Sequence, residues 1–191
     1  MSVNYENLIK AVLSKSKSKE WRSAVMEWSV FDCEEDPTQA KKCICGKEGL
    51  YYLFTIKNDI NGNTLFPIGS TCIKKFDRDD LYTEASLWEQ EFKLYHAIED
   101  GKFITLKNGF FTRKLLKKLY DDGAFKATEF NGFDPHSDYE FLLEMFNKRK
   151  EITDRQNRKC IAIILGSIKP FIKSRLKYYG KNAEGQHGLK Q

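Results

Sequence analysis

The sequence lacks the long apolar run that a membrane-spanning helix requires. Such a helix needs about 18 to 20 consecutive apolar residues, and no stretch of the 191 residues approaches that length. Residues 1–13 carry Glu6 and Lys10 among their apolar residues, so they do not form the uninterrupted apolar core of a signal peptide. We therefore expect no membrane segment and a location in the cytoplasm.

The common motifs of nucleotide-binding and hydrolytic enzymes are also missing. The sequence has no phosphate-binding P-loop, no GxGxxG turn, no GxSxG nucleophile and no HExxH zinc site. Acidic clusters at residues 77–80 and at residues 121–122 could suggest a magnesium nuclease, but they fall at predicted helix boundaries, where aspartate serves as a cap. The sequence therefore predicts a protein that is not an enzyme.

Cysteine is present five times, and its distribution is uneven. Four cysteines fall between residues 33 and 72, whereas Cys160 stands alone in the apolar run 160–165. In an intracellular chain, clustered cysteines are more often metal ligands or buried thiols than disulfides. We interpret the cluster as a metal site and Cys160 as a core residue.

The spacing within the cluster indicates zinc. A tight turn, Cys43-Ile44-Cys45-Gly46, precedes a predicted hairpin, and Cys72 follows that hairpin at the start of a short helix. The positive end of a helix dipole stabilises a thiolate at this position, and structural zinc sites commonly use four tetrahedral thiolates. The sequence therefore predicts one structural Zn²⁺ ion, with the ligands Cys33, Cys43, Cys45 and Cys72.

The fourth ligand has more than one candidate. Cys33 is separated from Cys43 by nine residues and is expected in a polar loop. His96 is the alternative if its helix packs back over the finger, and His136 and His187 are more remote in sequence. The competing interpretation of the whole cluster is that these cysteines are small core residues.

Hydrophobic patterning predicts an α+β fold, in which a small zinc-stapled β-hairpin finger precedes a mainly helical, basic C-terminal region. Strands are predicted at residues 24–31, 50–57 and 64–68, with a further brief strand at 103–106. Helices are predicted at residues 5–13, 71–76, 79–100, 112–121, 137–148 and 153–179, the last of them kinked at Pro170. The predicted regions are an N-terminal helix and mobile linker (1–20), a zinc-binding β finger (21–78), a helical basic region (79–180) and a flexible tail (181–191).

The net charge of +5 is unevenly divided along the chain. Residues 1–100 contain 13 Lys and Arg against 17 Asp and Glu, whereas residues 101–191 contain 19 against 10. A basic half favours a polyanion as partner. The candidate nucleic-acid contacts form three clusters, namely Arg113 and Lys117, then Lys148, Arg149, Lys150, Arg155, Arg158 and Lys159, and finally Lys173 and Lys177.

The second of these clusters is predicted to be the main contact. Its cations bracket one turn between two helices, so their charges add over a small area. Thr153 is expected to cap the second helix, whose positive N-terminal end would reinforce attraction for phosphate. The competing interpretation is a solvated, lysine-rich surface.

The order of knuckle, β-hairpin and helix-start cysteine resembles the treble-clef zinc finger over residues 33–76. The departures are a C-x-C knuckle in place of C-x-x-C and a helix that supplies only Cys72. Over residues 25–170, the motif CxCG…IGSxC and the helical segments that follow it resemble small early proteins of phages and mobile elements of Gram-positive bacteria. That resemblance implies a phage-encoded accessory protein in the host cytoplasm.

These observations lead to two functional expectations. The favoured one is a non-enzymatic, zinc-containing accessory protein that binds DNA or RNA. The alternative is an inhibitor of a host nucleic-acid-guided defence complex, of the anti-CRISPR type, that binds the complex or its RNA. Both expectations use the same basic face, and the sequence predicts no particular oligomeric state.

Overall fold

The computed structural model describes residues 2–176 and shows the predicted α+β class, with a three-stranded antiparallel sheet and a mostly helical remainder. The strands are β1 (Trp28–Glu35), β2 (Tyr52–Asn58) and β3 (Thr64–Ile68). The helices are α1 (Val3–Lys15), α2 (Trp21–Ala24), α3 (Ser70–Lys74), α4 (Asp79–Glu99), α5 (Arg113–Asp121), α6 (Pro135–Asn147) and α7 (Asp154–Ile163). None of the described helices combines the length and apolar character needed to cross a membrane.

The chain divides into two compact units, Met1–Trp88 and Glu89–Gln191. The first unit contains the N-terminal helix together with the whole sheet, and the second contains α5 to α7. The division falls inside α4, whereas the sequence placed a boundary just before this helix. The predicted tail, residues 181–191, lies outside the described residues.

The sheet of the first unit has β2 at its centre. On one side Trp28 of β1 lies opposite Asn58 and Cys33 opposite Phe54, and on the other side Phe54 lies opposite Ile68 of β3. The side chains of Trp28, Phe54 and Ile68 are completely buried. The hairpin predicted for residues 50–68 is therefore present, and its aromatic and β-branched residues supply the core of this unit.

The linker after α1 is fixed in place, contrary to the expectation of a mobile connector. The backbone N–H groups of Lys17 and Ser18 each donate to the Glu27 carboxylate at 2.7 Å, and the indole of Trp28 donates to the Ser16 hydroxyl at 2.9 Å. Burial pushes the pKa of Glu27 upward, but hydrogen bonds from Asn58, Ser18 and Lys17 outweigh burial and leave this pKa below its ordinary value. The buried carboxylate thus anchors a segment whose composition predicted mobility.

The first strand begins and ends later than the pattern predicted. Met26 falls within the predicted strand, but this residue is 65% exposed within a 3₁₀ turn, Val25–Glu27. The strand instead continues through Asp32 to Glu35, because these residues pair with β2 as far as Tyr52. Tertiary pairing here outweighs the low strand propensity of acidic residues. Cys33 consequently lies on a strand and not in a polar loop.

The second unit is helical throughout its described elements, and the strand predicted at residues 103–106 is absent from them. Ile104 and Leu106 are buried and Phe103 is exposed, which accounts for the strand-like alternation. No strand of the described part of this unit offers a pairing partner, so the alternation records only which side chains face the core.

The last helix is capped as predicted but interrupted earlier than expected. The Thr153 hydroxyl accepts from the Gln156 backbone N–H, and the Gln156 side chain accepts from the Thr153 N–H at 3.0 Å, which completes the capping box. A π turn, Ile164–Ile168, stands directly before Pro170. Because proline has no N–H to donate to the carbonyl of Gly166, the regular helical ladder cannot continue through this turn. Helical structure resumes over residues 169–176.

A charge group around one buried carboxylate ties three helical segments of the second unit together. Glu91 of α4 is completely buried, with its carboxylate 3.5 Å from the Lys118 ammonium and 3.3 Å from the Arg175 guanidinium. Asp122 pairs with the same two cations. Burial raises the pKa of Glu91 above its ordinary value even though the two cations oppose this effect.

Candidate metal centre and basic surface

The knuckle turn presents two thiols, those of Cys43 and Cys45, which are two positions apart. Gly46, at a φ of +90°, donates its N–H to the Cys43 carbonyl at 2.7 Å, and the Cys43 N–H donates to the Lys47 carbonyl at 2.8 Å. Any residue with a side chain would be strained at this φ. The turn is held against the sheet by the Ile44 N–H, which donates to the carbonyl of Pro67 at 2.9 Å.

The third thiol comes from the start of α3. Cys72 lies in the first turn of this helix, and its N–H donates to the carbonyl of the preceding cap residue, Gly69, at 2.8 Å. The Gly69 N–H in turn points at the Cys43 sulfur, 3.5 Å away. The hairpin β2–β3 therefore delivers Cys72 to the knuckle, as the zinc-finger arrangement predicts.

The three thiols form one buried group. The sulfurs of Cys43, Cys45 and Cys72 all lie within 4.8 Å of one another, and the Cys43–Cys72 separation is 3.6 Å. A tetrahedral zinc ion with Zn–S bonds of about 2.3 Å requires sulfurs about 3.8 Å apart, whereas a disulfide requires about 2.05 Å. The side chains of all three are almost completely buried. This group could hold a metal ion.

The surroundings of the thiols favour one thiolate within the group. The hydrogen bond between the two sulfurs lowers the pKa of Cys43 to about 5, with support from backbone N–H groups of Cys45 and Gly69. The same bond, together with burial, raises the pKa of Cys72. The lowered pKa of Cys43 favours its thiolate, which is the form that binds a cation, so a bound cation would displace protons from the group.

Cys33 does not join this group, contrary to the prediction. It lies on β1, and β2 separates it from β3, the strand that leads into α3. Its sulfur is not part of the group that Cys43, Cys45 and Cys72 form within 4.8 Å. Its completely buried side chain makes it a core residue of the sheet. Only three of the four predicted ligands come together.

The other predicted cysteine and histidines lie in the second unit. Cys160 is buried on α7, and burial raises the pKa of its thiol, as expected for a core cysteine. His96 lies on α4 against the ring of Tyr95, and His136 lies 3.1 Å from Glu140 on α6. Neither histidine belongs to the thiol group, and His187 lies outside the described residues.

Cations of the first and third predicted clusters have partners on the protein. Lys117 pairs with Asp121, and Arg113 donates to the side chain of Asn147. Lys173 pairs with Glu99 at 2.6 Å. Lys177 lies outside the described residues. The basic character of these two clusters is therefore partly neutralised locally.

The second cluster differs from the other two. Arg149, Lys150, Arg155 and Arg158 are exposed, and none of them forms an ion pair with any described residue. At its margins, the Lys148 ammonium donates to the Gln156 side chain at 3.0 Å, and Lys159 lies 3.8 Å from Asp138. The cluster surrounds the α6–α7 turn as the sequence predicted.

A cavity that the sequence did not predict lies beside α7. It measures about 640 Å³ and is lined by Phe130, Asp138, Arg155 and Lys159, among others. The only sequence signal was an Asn131-Gly132 turn with an aromatic residue on each side, Phe130 and Phe133. That pattern indicates a turn but not whether the aromatic rings are buried.

Comparison with known proteins adds no relative. No protein-family model, no curated protein and no solved structure matches the chain.

Proposed function

We propose that this protein is a zinc-containing, non-enzymatic accessory protein that binds nucleic acid through the α6–α7 turn. Zinc stabilises the knuckle, the hairpin and α3 in the first unit. The cations of the second unit contact phosphates. The resemblance to small phage early proteins extends this proposal to a phage-encoded protein acting in the host cytoplasm.

One observation carries the nucleic-acid proposal. Among the described residues, the exposed cations without an internal carboxylate partner include four that lie together around one turn, Arg149, Lys150, Arg155 and Arg158. Cations that satisfy a protein's own carboxylates, such as Lys117 and Lys173, have less to gain from phosphate. Unpaired arginines can contact phosphate oxygens bidentately and release the counterions that condense on nucleic acid.

The N-terminus of α7 reinforces this surface. The capping box leaves Arg155 in the first turn of the helix, where the positive end of the helix dipole attracts an anion. Arg158 follows three residues later and therefore lies on the same side of the helix. Phosphate at this turn would meet the helix dipole and both guanidinium groups.

Zinc is the metal that this thiol group fits best. Thiolate ligands select zinc over hard cations such as magnesium and calcium, and tetrahedral zinc accommodates the sulfur separations found here. A fourth ligand would come from outside the three thiols. A cavity of about 220 Å³ borders Cys43 and Cys72, which leaves room for a water molecule in that position.

Binding is tested by fluorescence anisotropy with mixed-sequence DNA and RNA over a salt series. The Arg155→Glu/Arg158→Glu variant should bind at least about tenfold more weakly and with a shallower salt dependence, because fewer phosphates are neutralised. Lys117→Glu/Lys173→Glu changes the net charge equally but alters cations that already have carboxylate partners, so it is the matched control. Equal losses in the two variants would assign the effect to net charge and contradict the proposal.

The same anisotropy measurement distinguishes the nucleic-acid proposal from the alternative, an inhibitor of a host defence complex. Absence of binding to DNA and RNA at every salt concentration would remove the nucleic-acid proposal. A pull-down from host lysate in which a protein–RNA complex is captured by the wild type but not by the double-arginine variant would then support the inhibitor.

A further inference from the structure

A cavity in the second unit lies beside the cations of the α6–α7 turn. Its wall is formed by Thr128 and Phe130 on one side and by α7 and the π turn on the other, where Ala162 and Gly166 contribute no long side chain. Its volume of about 640 Å³ falls within the range of about 300–1,000 Å³ that is typical of small-ligand sites.

Phe130 stands at this cavity with its ring in solvent. Phe130 is 96% exposed. Its ring therefore contributes nothing to the core, where aromatic side chains are usually buried. Phe130 lies in the 3₁₀ turn Glu129–Asn131, and the side chain of Asn131 holds this turn in place. The Asn131 side chain accepts from the Thr128 N–H and donates to the Lys126 carbonyl, both at 2.8 Å. The ring is therefore presented on a fixed turn with its faces accessible.

Asp138 provides an acceptor in the same cavity. Its side chain is 7% exposed, and its Oδ2 accepts from the Asn131 amide at 2.8 Å. Its Oδ1 has no hydrogen bond from any described residue, and the nearest cation is the Lys159 ammonium at 3.8 Å. A carboxylate oxygen that lines a cavity without a close donor can accept from a ligand that brings an N–H group.

Arg155 and Lys159 complete the lining with positive charge. They lie four residues apart on α7, so their side chains share one face of the helix. The Lys159 ammonium also lies 4.4 Å from the centre of the Phe141 ring, which fixes its position at the cavity wall. The cavity thus offers a stacking ring, a hydrogen-bond acceptor and two cations side by side.

We propose that this cavity binds one unpaired base of a nucleic-acid strand, with the base stacked on Phe130 and its flanking phosphate on Arg155 and Lys159. Asp138 Oδ1 accepts from an exocyclic amino group, which favours cytosine and adenine over thymine and uracil. This inference rests on the proposed nucleic-acid function and specifies its ligand as single-stranded. In an intact duplex, each base is stacked and paired, so its face is not available to the ring.

The test compares a single-stranded oligonucleotide with a duplex of the same length by fluorescence anisotropy at low salt. Phe130→Ala should weaken single-strand binding about five- to 100-fold, the effect of losing one stacked base, and should leave duplex binding unchanged. Phe130→Trp should retain single-strand binding and show indole fluorescence quenched by the oligonucleotide. The control is Phe103→Ala, since this exposed ring does not line the cavity.

Two further results decide the inference. Oligo-dC should bind more tightly than oligo-dT to the wild type, and Asp138→Asn should reduce that preference, because the amide can donate into the cavity. Equal binding of single strand and duplex with no effect of Phe130→Ala would overturn the inference while leaving the phosphate contacts of the proposed function intact. Absence of binding to any oligonucleotide would instead overturn the proposed function itself.

Discussion

At the scale of single residues, the chemistry of the metal centre depends on three sulfurs and the hydrogen bonds that reach them. The Cys43 sulfur accepts from the Gly69 N–H and lies 3.6 Å from the Cys72 sulfur, and these contacts lower the pKa of Cys43 toward the thiolate that a cation needs. Cys45 completes the group from the same turn. Loss of any one sulfur leaves two ligands, which is too few for a stable zinc site.

Zinc content should therefore separate the five cysteines into two classes. Cys43→Ser, Cys45→Ser and Cys72→Ser should each lose the metal, whereas wild-type protein should contain about one zinc per chain by elemental analysis. Cys33→Ser and Cys160→Ser should retain it, because both thiols lie outside the group. Loss of zinc from the Cys33 variant with its fold preserved would show that β1 supplies a ligand after all.

At the scale of elements, the completely buried Glu91 and the charges around it, those of Lys118, Asp122 and Arg175, connect α4, α5 and residues 169–176. A buried ion group is weak evidence for net stability, since desolvation offsets much of the attraction. Removal of Glu91 has a different effect, because its own buried position is left empty and Lys118 and Arg175 keep only Asp122 as a carboxylate partner. The group therefore specifies how these segments pack. Its effect on the free energy of unfolding becomes measurable when one member is removed.

Removing the buried carboxylate should be more costly than removing an exposed one on the same helix. Glu91→Ala should lower the free energy of unfolding by about 1–3 kcal/mol, because it removes one of the two carboxylates that face the part-buried Lys118 and Arg175. Glu99→Ala, which removes a carboxylate from the surface pair with Lys173, should lower it by about 0–1 kcal/mol. Urea denaturation followed by circular dichroism measures both. Similar values for the two variants would mean that solvent reaches Glu91.

At the scale of the whole molecule, charge and chemistry are divided between the two units. The first unit contains 12 Lys and Arg against 13 Asp and Glu and holds the thiol group, whereas the second contains 20 against 14 and holds the unpaired cations. Each unit has its own buried core. The proposed metal and the proposed ligand therefore act on different parts of the chain.

Metal removal should loosen the first unit selectively. A ligand that binds only the folded state stabilises the structure around its own site. Treatment with a strong zinc chelator should speed hydrogen–deuterium exchange in β1 to β3 and α3 and leave the amides of α5 to α7 largely protected. Readdition of zinc should reverse the change. Equal acceleration in both units would indicate that the entire chain unfolds as one cooperative body.

Sequence by itself determined the features that local patterns encode. The alternating and aromatic segments around residues 58–63 specified the hairpin, the capping box specified the start of α7, and the CxCG turn with a helix-start cysteine specified three thiols of the metal group. In each of these cases, residues close in sequence, or joined by one hairpin, satisfy one another's hydrogen bonds or ligand geometry.

Only the tertiary structure decided the features that depend on distant partners. Cys33 lies on a strand and not in the predicted loop, because β2 pairs with the acidic end of β1. Glu27 fixes a linker whose composition predicted mobility. Which cations are neutralised depends on carboxylates such as Glu91 and Glu99, which are far away in sequence. The exposure of Phe130 depends equally on what packs around its turn. Composition and spacing report which groups are present, but burial and pairing arise from contacts between segments that the chain order does not bring together.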